Sequence, residues 1–204
     1  ESVEKIYKAG IFVNAGFIIG FDGEPGSVAP GMIDCIEQAA IPVCMVGLLY
    51  ALPGTQLSRR LLAEGRLHAD SDRVAADSET DQCTSGLNYV TLRPRREILS
   101  DYREVLQHIY GPRAFFGRVR RTARALDLSR HKLRRPLRYA LRDLRSFARI
   151  SRQMGLRDHP VRAHYWRAIF ECLLRNPRAV RIVVSFAALY LHIRPFARYL
   201  DERL

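Results

Sequence analysis

The sequence predicts an α/β segment followed by an all-α one. Three observations carry this. Two near-continuous apolar runs flank a helical pattern within the first 52 residues, a helical period governs almost everything after residue 94, and the charge changes sign between the halves. Residues 1–110 hold 10 basic against 15 acidic side chains and residues 111–204 hold 23 against 6, so a chain of net charge +12 has an acidic first half and a second half of net +17. At 204 residues and 48% hydrophobic content there is material for one large or two small domains, which excludes disorder of the whole.

The opening ESVEKIYKAG has no basic n-region and no apolar h-region, and its pattern predicts the last turns of a helix capped by Gly10. IFVNAGFIIGF follows, apolar and β-branched as in a strand covered on both faces. Ser27 to Ala40 predicts a helix with Ser27 as N-cap and Pro30 in its first turn. IPVCMVGLLYAL predicts the second strand, and GTQLSRRLLAE a helix with Leu57, Leu61 and Leu62 on one face and Gly65 as its stop. Helix, strand, helix, strand, helix is the order of parallel βα units. Two such strands do not bury both faces alone, so the rest of the sheet is expected from an upstream segment.

His68 to Asn88 is polar, acidic and without period, which predicts a loop or lid. Beyond it Ile98, Leu99, Tyr102, Val105, Leu106 and Ile109 share one helical face up to the break at Gly111–Pro112. A second helix starts at Pro112, and three more are expected at about 133–153, 160–175 and 177–200. The last holds IVVSFAALYLHI, a charge-free run of twelve residues that is too short to span a bilayer. The expected domains are thus residues 1–67 (βα units), 68–110 (capping loop and first helix) and 111–204 (basic helical domain).

Ligands of parallel α/β folds bind beyond the carboxyl ends of the strands. Gly16 and Gly20 weaken a strand unless a ligand or another backbone must approach closely, and Asp22 and Glu24 stand at the mouth as acceptors for hydroxyls or an ammonium. A tight acidic turn that holds no ligand explains the same residues. No GxGxxG or GxxxxGK[ST] is present, and the four cysteines (Cys35, Cys44, Cys83, Cys172) form no CxxC or CxxxCxxC. Buried free thiols in a reducing, cytoplasmic compartment fit that spacing.

The pair GFIIGFDGEPG and GLLYALPGTQLSRRLLAEGRL resembles the last two βα units of the radical S-adenosylmethionine (SAM) barrel, a partial (β/α) barrel, in its cobalamin-binding branch. SGLNYV, REILSDYREVLQHIYGPRAFFGRVR and AHYWRAIFECLLRNPRAV resemble the helical C-terminal extension of that branch, which includes hopanoid-methylating enzymes. The resemblance implies the C-terminal portion of a cobalamin-dependent radical SAM methyltransferase acting on an unactivated carbon of a small-molecule or lipid substrate. It implies that Gly16, Ile18 and Gly20 line the adenosine of S-adenosylmethionine, with Asp22 and Glu24 beside it, and that Leu52, Pro53 and Gly54 pack against the adenine. Many relatives read GFPGE where this loop has Asp22 in place of the proline. The 4Fe-4S cluster and the cobalamin are implied to be bound by the upstream part of the same polypeptide, so the chain is expected to be inactive alone and carries no assigned catalytic or metal-binding residue. On this reading Gly20→Val weakens S-adenosylmethionine binding and leaves the fold intact.

The basic half admits three partners. Its charge suits nucleic acid, although no nucleic-acid motif is present and few aromatics interleave the arginines. It suits the acidic barrel half or another domain. It also suits an anionic membrane surface, at the inner face of a membrane, because Leu137, Leu141, Leu144 and Ala148 form a stripe beside Arg138, Arg142, Arg145, Arg149 and Arg152. Two apolar stripes facing each other in a bundle are the competing explanation. His159 and His164, five apart, share no helix face, and Tyr165 and Trp166 read as packing aromatics.

Overall fold

The computed structural model describes residues 2–68, 86–129 and 137–203. Cys83 and most of the acidic stretch read as a lid lie outside the described residues. Helix α1 (Ser2–Lys8) ends at Gly10 with φ 78°, and the Ile11 N–H donates to Ile6 O (3.2 Å), the left-handed glycine cap that the sequence predicts. Strand β1 (Asn14–Ile19), helix α2 (Ala29–Gln38) and strand β2 (Val43–Leu48) follow, the strands forming a two-stranded parallel sheet.

Within this chain only one face of that sheet is covered, as two strands alone allow. Burial alternates along each strand: Ile19, Cys44, Val46 and Leu48 are buried, whereas Gly16 and Ile18 are exposed and Met45 is 71% exposed. The sequence hides this period of two because Ile18 and Met45 are as apolar as their inward neighbours. Ser27 is not the N-cap either. Helix α2 begins at Ala29, and Asp101 holds both the Ser27 hydroxyl (2.7 Å) and the Val28 N–H (3.1 Å), so the carboxylate of a distant residue ties down the helix entry.

Helix α3 (Gln56–Ala63) is capped by Thr55, whose Oγ1 accepts from Ser58 N (3.2 Å), and stops at Gly65 with φ 65°. Leu61 is fully buried. Leu62, expected on the same face, is 67% exposed. Helix α4 (Arg95–Ile109) buries Ile98, Tyr102, Val105, Leu106 and Ile109. The remaining helices are α5 (Pro112–Ala125), α6 (Leu137–Arg152), α7 (His159–Arg175) and α8 (Val180–Arg203), with a π-helical turn at Gln153–Arg157 and one 3₁₀ turn at Pro177–Ala179. The architecture is α/β followed by all-α.

The chain divides into two compact units. One comprises residues 1–15, 35–44 and 108–195, the other residues 16–34, 45–107 and 196–204. In the first, α5 packs on α7 around Phe115, Phe116, Tyr165 and Tyr190, whose rings meet edge-on or tilted at 4.5–6.3 Å. Each buried tyrosine hydroxyl has a partner: Tyr190 donates to Tyr110 O (3.0 Å), and Tyr165 pairs with Ser151 (2.7 Å). Pro177–Leu200 is long and apolar enough, by length and composition, to cross a membrane, which corrects the inference from its twelve-residue charge-free run. Its Ala179, Val183, Phe186, Ala187 and Tyr190 nevertheless form one buried face within this unit.

Candidate functional site

The site expected from the sequence lies in the second unit, at the carboxyl ends of β1 and β2. Its residues fall into three groups.

Gly20 and Glu24 build a turn that closes on itself. The Glu24 Oε1 accepts from both the Gly20 N–H (2.7 Å) and the Phe21 N–H (2.9 Å), and the Glu24 N–H donates to Phe21 O (3.2 Å). Gly20 has φ 112°, and a Cβ placed there lies 2.6 Å from Leu87 Cδ2. Its carbonyl accepts from the buried Tyr89 hydroxyl (2.5 Å), which burial pushes up to about 12 and so keeps protonated as a donor. The protein's own packing therefore accounts for glycine at this position.

Asp22 is stapled to the end of α3. Arg66 grips its carboxylate through two nitrogens (2.7 and 2.9 Å), and Arg60 adds a third bond (2.9 Å). Arg66 in turn binds Glu64 (2.8 Å) and Val90 O (2.8 Å), and its guanidinium lies 5.8 Å from the Tyr89 ring centroid. Hydrogen bonding from Arg66 holds the Asp22 carboxyl below its ordinary range. Asp22 and Glu24, predicted as acceptors for a ligand, thus spend their oxygens on the protein, and Arg93 bridges Glu24 (3.4 Å) to Asp101 (3.0 Å) beneath the loop.

One prediction arises from this staple. Asp22→Asn is expected to lower stability by about 1 kcal/mol at neutral pH, a charged hydrogen-bond pair discounted for solvent screening. Because the folded carboxyl is depressed, the contribution is present in full above about pH 4 and is lost as pH falls through the folded value. Urea unfolding of both proteins at neutral and acidic pH measures it; a stability difference that does not shrink in acid contradicts the assignment.

Gly16, Ile18 and Leu52–Gly54 are different, because they lie exposed, although the Leu52 carbonyl accepts from Thr55 Oγ1 (2.7 Å) and the Gly54 carbonyl from Arg59 (2.9 Å). A Cβ at Gly16 meets no heavy atom within 4 Å, and Ile18 beside it on the same face is 46% exposed. Leu52 is 50% exposed at the end of β2, Pro53 and Gly54 are exposed, and Gly54 takes φ 77° to lead into the Thr55 cap. Phe21 (50%) and Met45 (71%) extend the uncovered apolar surface. The sequence reading missed the residues that hold this wall in place. Asn88 exchanges both amide hydrogen bonds with Ala51 (2.8 and 3.2 Å), and the Leu87 N–H donates to Leu49 O (2.7 Å), so residues 87–89 brace the end of β2 like a third strand. SGLNYV has no local periodicity to announce that role; Ala51 lies 37 residues from Asn88 and Gly20 lies 69 from Tyr89.

A domain of unknown function, DUF4070, which is found in cobalamin-binding radical SAM proteins, matches residues 55–204. The chain belongs to this family. It is 32% identical over 199 residues to an uncharacterized methyltransferase of Synechocystis sp., covering 98% of the chain and 35% of that protein. It is 31% identical over 118 residues to the hopanoid C-2 methylase of Rhodopseudomonas palustris, covering 58% of the chain and 20% of the methylase. The chain therefore spans about a third or less of the length of these curated relatives. No solved structure matches it. The DUF4070 match begins at Thr55, so β1 and its glycine lie before it and inside the alignment to the Synechocystis protein.

Proposed function

We propose that this chain is the C-terminal portion of a cobalamin-dependent radical SAM methyltransferase acting on an unactivated carbon of a small-molecule or lipid substrate. In this reading the uncovered face of β1 and the end of β2 form the adenosine wall for S-adenosylmethionine. The observation that carries it is the open space at Gly16 with Ile18 exposed on the same face of β1, and Leu52 exposed beyond the end of β2, where the loops are otherwise locked by internal hydrogen bonds. An apolar, rigid surface with room for a flat ring suits an adenine. The family and the methyltransferase relatives support the reaction class.

The residues fit S-adenosylmethionine but not an iron-sulfur cluster. Among the described residues no three potential ligands converge, and Cys44 and Cys172 are buried, which pushes their thiols up to about 12 and about 11. The part proposed for this chain is confined to the adenosyl side: Gly16 admits the ring, Ile18 and Leu52 exclude water, and the Asp22–Arg66 staple and the Glu24 turn hold the strand ends still. When bound, S-adenosylmethionine supplies the reactive adenosyl carbon. Alone, the chain is expected to transfer no methyl group.

Gly16→Val tests the reading in a polypeptide that joins this chain to the preceding part of the protein. An added Cβ meets no heavy atom within 4 Å at this exposed position, so the fold is expected to survive with little change in unfolding midpoint. S-adenosylmethionine affinity in equilibrium dialysis is expected to fall roughly tenfold or more, about 1.4 kcal/mol. Equal affinity in the folded variant refutes the adenosine wall.

A further inference from the structure

Helix α6 is only shallowly embedded in its unit. Of its described side chains Ile150 and Ser151 are buried, while Arg142, Leu144, Arg145, Ala148, Arg149 and Arg152 are exposed, Leu144 at 63%. At 100° per residue these positions sort into strips. Phe147, Ile150 and Ser151 face inward, Leu144 and Ala148 form an apolar edge beside them, and the four arginines fill the next sector. Leu137, Arg138 and Leu141 of the predicted stripes have side chains outside the described residues. Arg145, Arg149 and Arg152 make no ion pair with any described residue, in contrast to Arg120 and Arg124, which both grip Glu171. Between α6 and α8 lies a groove of about 580 Å³ walled by Leu144, Phe147, Ile150, Val180, Val184 and Ala188 together with polar and charged side chains, among them the Arg181–Asp143 ion pair (3.2 Å). Less than a third (28%) of the apolar window in Pro177–Leu200 is buried, so α8 also presents apolar surface outward.

A row of uncompensated arginines alongside an exposed aliphatic edge calls for a partner that is anionic and apolar at once. We propose that α6 docks the protein on an anionic lipid surface. Arg145, Arg149 and Arg152 meet headgroup phosphates, and Leu144 and Ala148 enter the acyl boundary. Single-stranded nucleic acid fits less well, because it needs aromatic faces for stacking among the arginines, and among the described residues the exposed apolar side chains of this helix are Leu144 and Ala148. The inference stands on the helical unit alone and is independent of the adenosine wall.

The test is co-sedimentation of the full chain with vesicles of phosphatidylcholine, with and without phosphatidylglycerol, across a salt series. Binding is expected only with phosphatidylglycerol and is expected to fall as salt rises. Arg145→Glu with Arg149→Glu lowers partitioning by about tenfold or more, since each arginine near such a surface matters individually. Leu144→Asp also weakens it. Arg113→Glu with Arg178→Glu makes the same charge change at exposed positions off α6 and costs markedly less. The wild-type arms decide the question without any variant. Sedimentation with neither vesicle, indifference to lipid charge and salt, or equal losses from both charge-reversed pairs overturns the proposal. Salt-dependent capture of an RNA oligonucleotide in place of vesicles overturns it in favour of nucleic acid.

Discussion

Arg118→Met is expected to destabilise the helical unit by about 3–5 kcal/mol, the cost of removing one partner from a buried charge network. Arg118 is fully buried. Its Nε donates to Ile41 O (2.8 Å), and its two terminal nitrogens reach Glu37 and the carbonyl of Ile109. A buried ion pair can often be replaced by apolar residues at no net cost, but only when every partner is replaced with it. Two of the three partners here are backbone carbonyls, which no substitution removes; each loses its guanidinium donor, at about 1–3 kcal/mol for a group left unsatisfied, and Ile41 O keeps only the weak Cys44 thiol (3.6 Å). Glu37 suffers less, because Arg121 holds its other oxygen (2.6 Å) and its side chain is 25% exposed. Arg118→Lys should recover part of the loss, since one ammonium cannot reproduce a planar fork aimed at three acceptors. Arg121→Gln, at a half-exposed pair, should cost less than about 1 kcal/mol. Urea unfolding followed by far-UV circular dichroism ranks the three; an Arg118→Met midpoint matching the wild type would show that water or a rearranged neighbour satisfies the carbonyls.

Arg118 also shows where sequence reading stops. It stands in RAFFGRVRRTARAL among four other arginines, and helical spacing alone does not say which one turns inward. The elements themselves were legible because their causes are local: the Gly10 and Gly65 caps, Pro112 at the start of α5, and the apolar period of Ile98 to Ile109 each act within a few residues. The exposed face of the sheet was not, because Ile18 and Met45 look like core residues until the neighbouring strand positions are known. Gly16, placed inside the first strand by the apolar pattern, and Leu52, placed at the end of the second, both lie open, whereas the pairing of Asp22 with Arg66, 44 residues on, and of Asp101 with Ser27, 74 residues back, depends on tertiary folding that no spacing rule encodes. The carboxylates expected to await a ligand turn out to be the fasteners of the loop.

The same distinction separates the two strand glycines, and it revises what a substitution at Gly20 can report. Gly20→Val was expected to leave the fold intact; with φ 112° and a Cβ 2.6 Å from Leu87 Cδ2, even Gly20→Ala is expected to destabilise by about 3 kcal/mol, combining backbone strain of about 1–3 kcal/mol with overpacking. Leu87 does not swing aside freely, since it is 1% exposed and itself sits at φ 61°. Gly16→Ala, at an open and exposed strand position, should be neutral or stabilise by roughly 0.5–1 kcal/mol, because alanine loses less backbone entropy on folding. A double-mutant cycle with Leu87→Ala divides the Gly20 cost. Shortening Leu87 relieves the steric contribution and leaves the backbone one, so the pair should lose less stability than the sum of the single variants, with a coupling of about 1 kcal/mol or more. Urea unfolding of the four proteins measures it. Strict additivity would mean the cost at Gly20 is backbone strain alone, and a Gly20→Ala protein as stable as the wild type would mean the strand end relaxes, so that Gly20, like Gly16, remains available to a ligand.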